Sequence, residues 1–232
     1  MKKTLIASLI AAGLASPLAA QAADDWWNPT SWGTTGGNVS PWLVRLRAVN
    51  IDPQSSSTAG GVLPQDAISV ENRWVPEVDI SYFFTKNIAL ELVLAYAYHN
   101  VAVNAPGVYS GGVGNVQVLP PTLMVQYHFN WENNPFKPYV GAGINFTWFT
   151  NSSLAVPLFP GSLPLNIQST SVGPALQVGA DYKLTEHWYL NADFKYIWMD
   201  TQVTSENVGP KLVNSRLDIN PMVYGVGVGY RF

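Results

Sequence analysis

The last nine residues of the chain alternate strictly between two kinds of position. Every second side chain is apolar or aromatic: Tyr224, Val226, Val228, Tyr230 and Phe232. The positions between them hold three glycines and one arginine. Because side chains along a β-strand point to opposite faces in turn, one face of this strand would be continuously apolar. Such a run ending in phenylalanine is typical of the last, lipid-facing strand of a bacterial outer-membrane β-barrel. The same glycines could suggest a phosphate loop, but that motif needs a helix after them, and here the chain stops.

Residues 1–22 have the pattern of a secretory signal peptide. A basic start at Lys2 and Lys3 precedes an apolar stretch and a cleavage site marked by small residues that ends at Ala22. Beyond it no uncharged apolar run reaches the 18 residues that a transmembrane helix needs. A secreted β-rich chain without a helical anchor is either soluble or closed as a barrel in the outer membrane.

Composition favours the membrane barrel. The chain has 232 residues, of which 47% are hydrophobic and 12% charged, whereas soluble chains average roughly 25% charged residues. Contact with lipid explains the shortfall. The formal charge of −3 and the lack of basic clusters argue against a nucleic-acid partner. The chain contains no cysteine, which excludes disulfides and thiolate chemistry.

Eight strand-like stretches predict an all-β fold, an eight-stranded antiparallel transmembrane barrel. They cover about 42–51, 73–84, 88–99, 118–129, 139–149, 172–184, 188–200 and 216–232. The connections between them alternate between long and short. An even strand count with this alternation places both termini in the periplasm and four long loops outside, around 52–72, 100–117, 150–171 and 201–215.

Aromatic side chains at the ends of the apolar faces predict two membrane interfaces. The outer belt would hold Trp74, Tyr96, Tyr98, Trp148 and Trp198, and the inner belt Phe84, Tyr127, Phe129, Tyr182, Trp188, Tyr230 and Phe232. Alternation alone also fits a soluble sandwich or barrel, which buries its apolar face. Two aromatic belts around an aliphatic band favour the membrane.

Charged residues within the strands fall mostly on the opposite, inward face. They form a predicted interior polar network of Arg45, Arg47, Glu77, Asp79, Glu91, Asp193 and Lys195, with Asp181 and Lys183 on the sixth strand. An eight-stranded barrel is narrow enough to be filled by side chains, so these charges would pair across the lumen. The network is interpreted as a structural plug, with an ion or proton path as the alternative.

Several stretches resemble the OmpW family of small outer-membrane proteins. They are LPPTLMVQYHF at 119–129, KPYVGAGINFT at 137–147, GPALQVGADY at 173–182, DINP at 218–221 and the terminal GYRF. The resemblance covers about 41–232 and implies an eight-stranded barrel with a narrow apolar channel for small hydrophobic molecules. A tryptophan-rich tail, DDWWNPTSWGTTGG at 24–37, departs from the family pattern. The predicted organisation is therefore a signal peptide at 1–22, a tail at 23–40 and a barrel at 41–232.

The outer connections also support hydrophobic cargo. No Asp, Glu, Lys or Arg occurs in 92–131 or in 138–180. Loops that face water are normally polar, so these uncharged segments need an apolar partner, which could be a ligand, the barrel mouth or lipid. The alternative is that they pack on one another as a lid. The predicted cargo path is lined by Val93, Met124, Phe149, Leu154, Leu158, Phe159, Leu163, Ile197 and Met199.

Prolines near the outer ends of two strands suggest a way out through the wall. Pro120, Pro121 and Pro174 each lack a backbone N–H, so neighbouring strands lose ladder bonds there. A wall with missing bonds could open sideways and release cargo into the lipid. The alternative is that these prolines only mark strand starts.

Catalysis, cofactors and metals are not expected. His99, His128 and His187 fall on distant strand ends and a turn, so they cannot assemble a metal site or a triad, and His99 is the one candidate base. The predicted function is passive uptake of small hydrophobic molecules across the outer membrane. A structural or surface-interaction barrel without transport is the alternative, as is a soluble secreted lipid-binding barrel. The expected partners are outer-membrane lipid, the cargo and, through the strand ending at Phe232, the barrel-assembly machinery.

Overall fold

The computed structural model describes residues 40–131, 133–158, 161–205 and 212–232, without the side chains of residues 151, 152 and 158. The predicted signal peptide and residues 23–39 of the tail lie outside the described residues. In the described part of the chain, no helix is long and apolar enough to cross a bilayer.

The described strands belong to one antiparallel sheet. They are β1 (Trp42–Asp52), β2 (Ser56–Ser57), β3 (Ile68–Val70), β4 (Arg73–Phe83), β5 (Ile88–Ala95), β6 (Ala97–Ala105), β7 (Tyr109–Leu119), β8 (Thr122–His128), β9 (Phe136–Leu158), β10 (Gly161–Ile167), β11 (Thr170–Lys183), β12 (Trp188–Ile197), β13 (Asp200–Ser205), β14 (Asn214–Asp218) and β15 (Met222–Arg231).

Eight of these strands close into a barrel. Going round the wall, their order is β1, β4, β5, β8, β9, β11, β12 and β15, and β15 pairs again with β1. Closure leaves no sheet edge in this ring, which satisfies the backbone groups along its whole circumference. Ser40 N donates to Phe232 O at 2.6 Å, so the two ends of the described chain meet at one rim, here called the terminal end. The prediction of an eight-stranded antiparallel barrel is confirmed.

The wall continues beyond this ring at the opposite end, here called the loop end. The strands β3, β6, β7, the second half of β9, β10, β13, β14 and β2 pair in the same circular order as the barrel strands from which they extend. Ser57 joins β2 to the segment before β3, because it accepts a hydrogen bond from Asp66 N at 2.8 Å and another from Ile68 N at 3.2 Å. These strands form the upper tier.

The upper tier corrects the prediction of four long loops. Strands occupy much of the segments expected to be irregular, and the predicted strand 88–99 is instead two strands that meet at Tyr96. The physical reason is that these uncharged segments alternate like strands, with Val101 and Val103 inward beside Ala102 and Asn104. A backbone beside an apolar interior needs internal hydrogen bonds, and continued strand pairing supplies them.

The outward surface of the barrel ring is apolar. Its middle is aliphatic, with Leu46, Val125, Ile144, Val178 and Val226 all at least half exposed. Aromatic rings lie on both sides of this band and contact each other along the rims, as in the pairs Trp42–Tyr82, Tyr127–Phe129 and Tyr230–Phe232 at the terminal end and Tyr96–Tyr98 and Tyr196–Trp198 toward the loop end. The predicted outward faces are therefore the exposed faces of the barrel.

Candidate functional site

A layer of buried ion pairs fills the lumen of the barrel ring. It consists of Arg45, Arg47 and Lys195 with Glu77, Asp79, Glu91, Asp181 and Asp193, and is called the ion-pair layer below. Arg45 bridges Asp181 at 2.6 Å and Glu91 at 3.0 Å. Arg47 lies within 3.5 Å of four carboxylates: Glu77, Asp79, Glu91 and Asp193. Lys195 bridges Asp193 at 2.6 Å and Glu77 at 2.7 Å. Of the predicted interior polar network, all residues lie in this layer except Lys183, which is half-buried at the end of β11.

Neutral polar side chains complete the layer. The Gln177 amide donates to Glu91 at 2.9 Å and to Asp193 at 2.7 Å. Asn191 Nδ2 donates to Asp181 at 2.8 Å, and Asn191 Oδ1 accepts a hydrogen bond from Arg47 Nε at 2.7 Å. The Tyr139 hydroxyl donates to Asp193 at 3.2 Å. The sequence-based prediction missed Gln177 and Tyr139, because it included only charged side chains in the interior network. Their inward position in an alternating strand was the available signal.

The inward glycines of β15 explain how the two arginines fit. Arg47 pairs with Gly227 and Arg45 with Gly229 across the β1–β15 ladder. A Cβ atom at Gly227 would lie 2.2 Å from the Leu46 carbonyl oxygen and 2.9 Å from Arg47 Cγ. The inward glycines of the last nine residues therefore leave the room that the side chains and backbone of Arg45 and Arg47 occupy.

The lumen is also filled between the ion-pair layer and the terminal end. Leu43, Phe83, Ala89 and Tyr189 are buried together there. The Arg231 guanidinium lies 4.5 Å from the centre of the Phe83 ring, and the His128 ring stacks on Tyr139 at 4.8 Å. This half of the barrel is therefore packed with side chains.

An apolar cavity lies on the other side of the layer, inside the upper tier. Protein atoms leave about 1000 Å³ of space there, including the part open to solvent. Aliphatic side chains form most of its wall, among them Val101, Val103, Val113, Val116, Leu165 and Val203 of the upper tier. Glu77 and Lys195 reach its floor and bond to each other. The cavity is thus a closed-bottomed apolar space that stands on the ion-pair layer.

The residues predicted to line a cargo path have three different positions. Val93, Phe149, Leu154, Ile197 and Met199 line the cavity. Met124 and Leu163 are buried in the same apolar cluster without lining the cavity. Phe159 and the Leu158 side chain lie outside the described residues. The upper-tier valines were missed because segment 100–117 was interpreted as a loop, although its alternation was visible in the sequence.

The wall of the cavity has a break in strand pairing at two of the predicted prolines. The β5–β8 register ends at Val93 opposite Thr122, and the β6–β7 register begins at Ala97 opposite Val118. Residues 94–96 and 119–121 lie between these points, about 10 Å of strand at 3.3 Å per residue. On the other side of the prolines the wall stays joined, since Phe146 N donates to Pro121 O at 2.9 Å.

The third proline differs from these two. Pro174 is exposed on the outer face and does not line the cavity, whereas Pro120 does. The Pro174 carbonyl accepts a hydrogen bond from Trp198 N at 3.0 Å, which joins the neighbouring strands at that point. The pairing break therefore coincides with Pro120 and Pro121.

Within the described residues, no group of His, Asp and Glu side chains could hold a metal ion. His128 bonds Gln126 inside the barrel ring, and His187 bonds the Arg231 carbonyl in a turn. His99 lies in the upper tier, where Nδ1 is 2.9 Å from the Glu71 carbonyl oxygen. The three rings are in three separate environments.

Comparison with known proteins identifies the family. The sequence model of the OmpW family matches residues 39–232. The chain belongs to the OmpW family. An uncharacterised outer-membrane protein, y4mB of Sinorhizobium fredii, is 42% identical over 207 residues, covering 88% of this chain and 85% of that protein. Outer membrane protein W of Vibrio cholerae is 34% identical over 195 residues, covering 82% and 88%.

The solved structures agree with this OmpW assignment. The crystal structure of the outer-membrane protein OprG from Pseudomonas aeruginosa matches with a TM-score of 0.71 at 28% identity, over 84% of this chain and 98% of OprG. This OmpW-family chain is therefore an outer-membrane β-barrel, and its outward apolar surface faces the lipid of that membrane.

Proposed function

We propose that this barrel takes up small hydrophobic molecules passively through the cavity of the upper tier. The observation that carries the proposal is the apolar cavity inside the upper tier, whose strands occupy segments that the sequence analysis predicted to be outer loops. In this arrangement the loop end faces the outside, the terminal end faces the periplasm, and no catalytic step takes place. A mostly apolar cavity with a few polar groups is typical of sites for small apolar ligands.

The ion-pair layer makes direct passage to the terminal end unfavourable. An apolar molecule crossing it would have to separate Arg47 from its carboxylates and leave charges buried without partners, which costs several kcal/mol per ion. The packed side chains beyond the layer add a second obstacle. Cargo that enters the cavity therefore needs another exit.

The exit we propose is lateral, through the wall at Pro120 and Pro121. The break in strand pairing there separates the cavity from lipid by side chains rather than by a hydrogen-bonded ladder. On the lipid side, the Tyr96 hydroxyl donates to Gln117 Oε1 at 2.6 Å and links the strands that flank the break. Because Tyr96 is 44% exposed, this bond can be exchanged with interfacial water at low cost.

Uptake measurements with and without the protein test the main proposal. We expect faster entry of small alkanes and aromatics into vesicles or cells that contain the barrel, together with little ion conductance in a planar bilayer. Unchanged entry would contradict uptake and favour a structural or surface-interaction barrel. High conductance would instead support an ion path through the layer.

Replacing both prolines by valine tests the lateral exit. The N–H groups of successive strand residues point to opposite neighbours, and the Pro121 carbonyl already bonds Phe146 of β9. In Pro120→Val/Pro121→Val the new N–H at position 120 therefore faces the break and can help to close it with one ladder bond of about 0.5–1.5 kcal/mol. We expect uptake to slow by about two- to tenfold, because the strength of this bond is added to the free-energy barrier for lateral exit. The matched control is Pro174→Val, since Pro174 lies where the strands are already joined. Equal slowing in both variants, or none in either, would contradict an exit at Pro120 and Pro121.

Two other parts of the sequence-based interpretation stay predictions. One is the removal of residues 1–22 during secretion. The other is recognition of the last strand, which ends at Phe232, by the barrel-assembly machinery. Deleting Phe232 and measuring assembly in cells against refolding in detergent would separate a recognition defect from a folding defect.

A further inference from the structure

His99 is a polar side chain in the apolar wall of the cavity. It lies on the inward face of β6 between Ala97 and Val101, and all three side chains line the cavity. The ring is buried, with 5% of the residue exposed. A buried imidazole in such a wall needs partners for both ring nitrogens or a function for the one without a partner.

One ring nitrogen is held by the connection between β3 and β4. The β4–β5 register ends at Glu77 opposite Ala95, and the β3–β6 register begins at Val70 opposite Val101. His99 lies in the interval, where Nδ1 is 2.9 Å from the Glu71 carbonyl oxygen. A carbonyl oxygen can only accept, so Nδ1 carries the proton in this bond. In the neutral ring Nε2 is then a hydrogen-bond acceptor, an assignment that follows from the bonding pattern.

The second ring nitrogen is Nε2. Among the described residues, Nε2 has no hydrogen-bond partner, and it is not sealed off by protein atoms. Since His99 faces inward, the space that reaches Nε2 is the cavity.

The other polar side chains of the cavity wall bond to protein, although Glu77 does so through Oε1 alone. Lys195 and Glu77 bond to each other at 2.7 Å on the floor. The Thr122 hydroxyl donates to the Pro120 carbonyl at 3.2 Å and accepts from Asn145 Nδ2 at 2.8 Å. In the described part of the wall, two side-chain acceptors therefore have no protein partner: Glu77 Oε2, next to Lys195 on the floor, and His99 Nε2, which is the one set among apolar side chains.

We infer that the cavity selects small apolar molecules that carry one hydrogen-bond donor, a hydroxyl or an N–H, which binds His99 Nε2. This inference rests on the proposed uptake function and narrows its cargo. An apolar body fills the valine and leucine wall, and the donor removes the cost of an unpartnered buried nitrogen. A pure hydrocarbon of the same shape still enters but leaves Nε2 without a partner, so it binds less well.

Matched pairs of compounds test this inference. Phenol with toluene and cyclohexanol with methylcyclohexane differ mainly by a hydroxyl in place of a methyl group. The quantity to measure is the ratio of protein-dependent uptake within each pair, after subtraction of the rate in vesicles without protein. In His99→Phe we expect this ratio to fall by about two- to tenfold, the effect of one net hydrogen bond. The folded fraction of each variant is measured in the same vesicles, so that the ratio is compared between folded barrels.

A conservative variant separates ligand binding from the link to Glu71. In His99→Gln the amide NH₂ can donate to the Glu71 carbonyl while the amide oxygen offers an acceptor, so we expect partial recovery of the ratio. An unchanged ratio in His99→Phe would overturn the role of Nε2 while leaving hydrocarbon uptake intact. No protein-dependent uptake of either member of a pair in the wild-type protein would instead contradict the uptake function itself.

Discussion

Replacing Arg47 by leucine is expected to destabilise the folded barrel by about 3–5 kcal/mol, the usual result of removing one partner from a buried ion pair. Arg47 lies within 3.5 Å of Glu77, Asp79, Glu91 and Asp193. Its side chain is fully buried, so water cannot replace it beside these carboxylates. The measurement is the free energy of unfolding in urea for the protein folded in lipid vesicles.

The matched control is Arg216→Leu in the upper tier. Arg216 also pairs with two carboxylates, Asp200 at 3.4 Å and Asp218 at 3.1 Å, but its side chain is 58% exposed. Exposed pairs contribute about 0–1 kcal/mol, so this variant should stay close to the wild-type protein. Arg47→Lys keeps the positive charge but lacks the guanidinium group that bonds several carboxylates at once. We therefore expect this variant to lose an intermediate amount of the free energy of unfolding. Similar losses for Arg47→Leu and Arg216→Leu would contradict the view that the ion-pair layer depends on Arg47.

The sequence was most informative where one face of a strand has to differ from the other. Strict alternation from Tyr224 to Phe232 identified the lipid face of β15, and inward charge on β1 identified Arg45 and Arg47. Both inferences follow from period-two geometry alone. The same geometry, with the narrow lumen of eight strands, brought the charged residues together before any distance was known.

The upper tier was harder to predict, for a physical reason. Its strands have few charges on either face, so the contrast that marks a strand is weak, and glycine and proline interrupt it. The break in strand pairing at Pro120 could be predicted, because a proline in the sequence shows where a backbone N–H is missing. The availability of His99 Nε2 was not, since it depends on the bond between Nδ1 and the Glu71 carbonyl, which lies 28 residues away in the connection between β3 and β4.

Filling the cavity from its wall should abolish most uptake, the largest functional effect we expect. Ala97 lines the cavity, and it pairs with Val118 just above the break at Pro120. In Ala97→Trp the indole would occupy space that both the entrance and the lateral exit share. We expect protein-dependent uptake of toluene to fall by about tenfold or more, equivalent to at least about 1.4 kcal/mol of added barrier. Overpacking could cost about 1–3 kcal/mol of stability, so the folded fraction is measured in the same vesicles.

The control for this variant places the same indole on the other side of the wall. Ala142 is exposed on the lipid-facing side of β9, so Ala142→Trp adds equal volume where no cargo passes. Its uptake should match that of the wild-type protein. Val203→Trp, from β13 in the same cavity, should reproduce the block without touching β6. A folded Ala97→Trp barrel that still carries toluene at the wild-type rate would exclude the upper-tier cavity as the route. Loss in both cavity variants but not in Ala142→Trp would locate the route inside the upper tier, because volume added to the lipid face leaves the cavity unchanged.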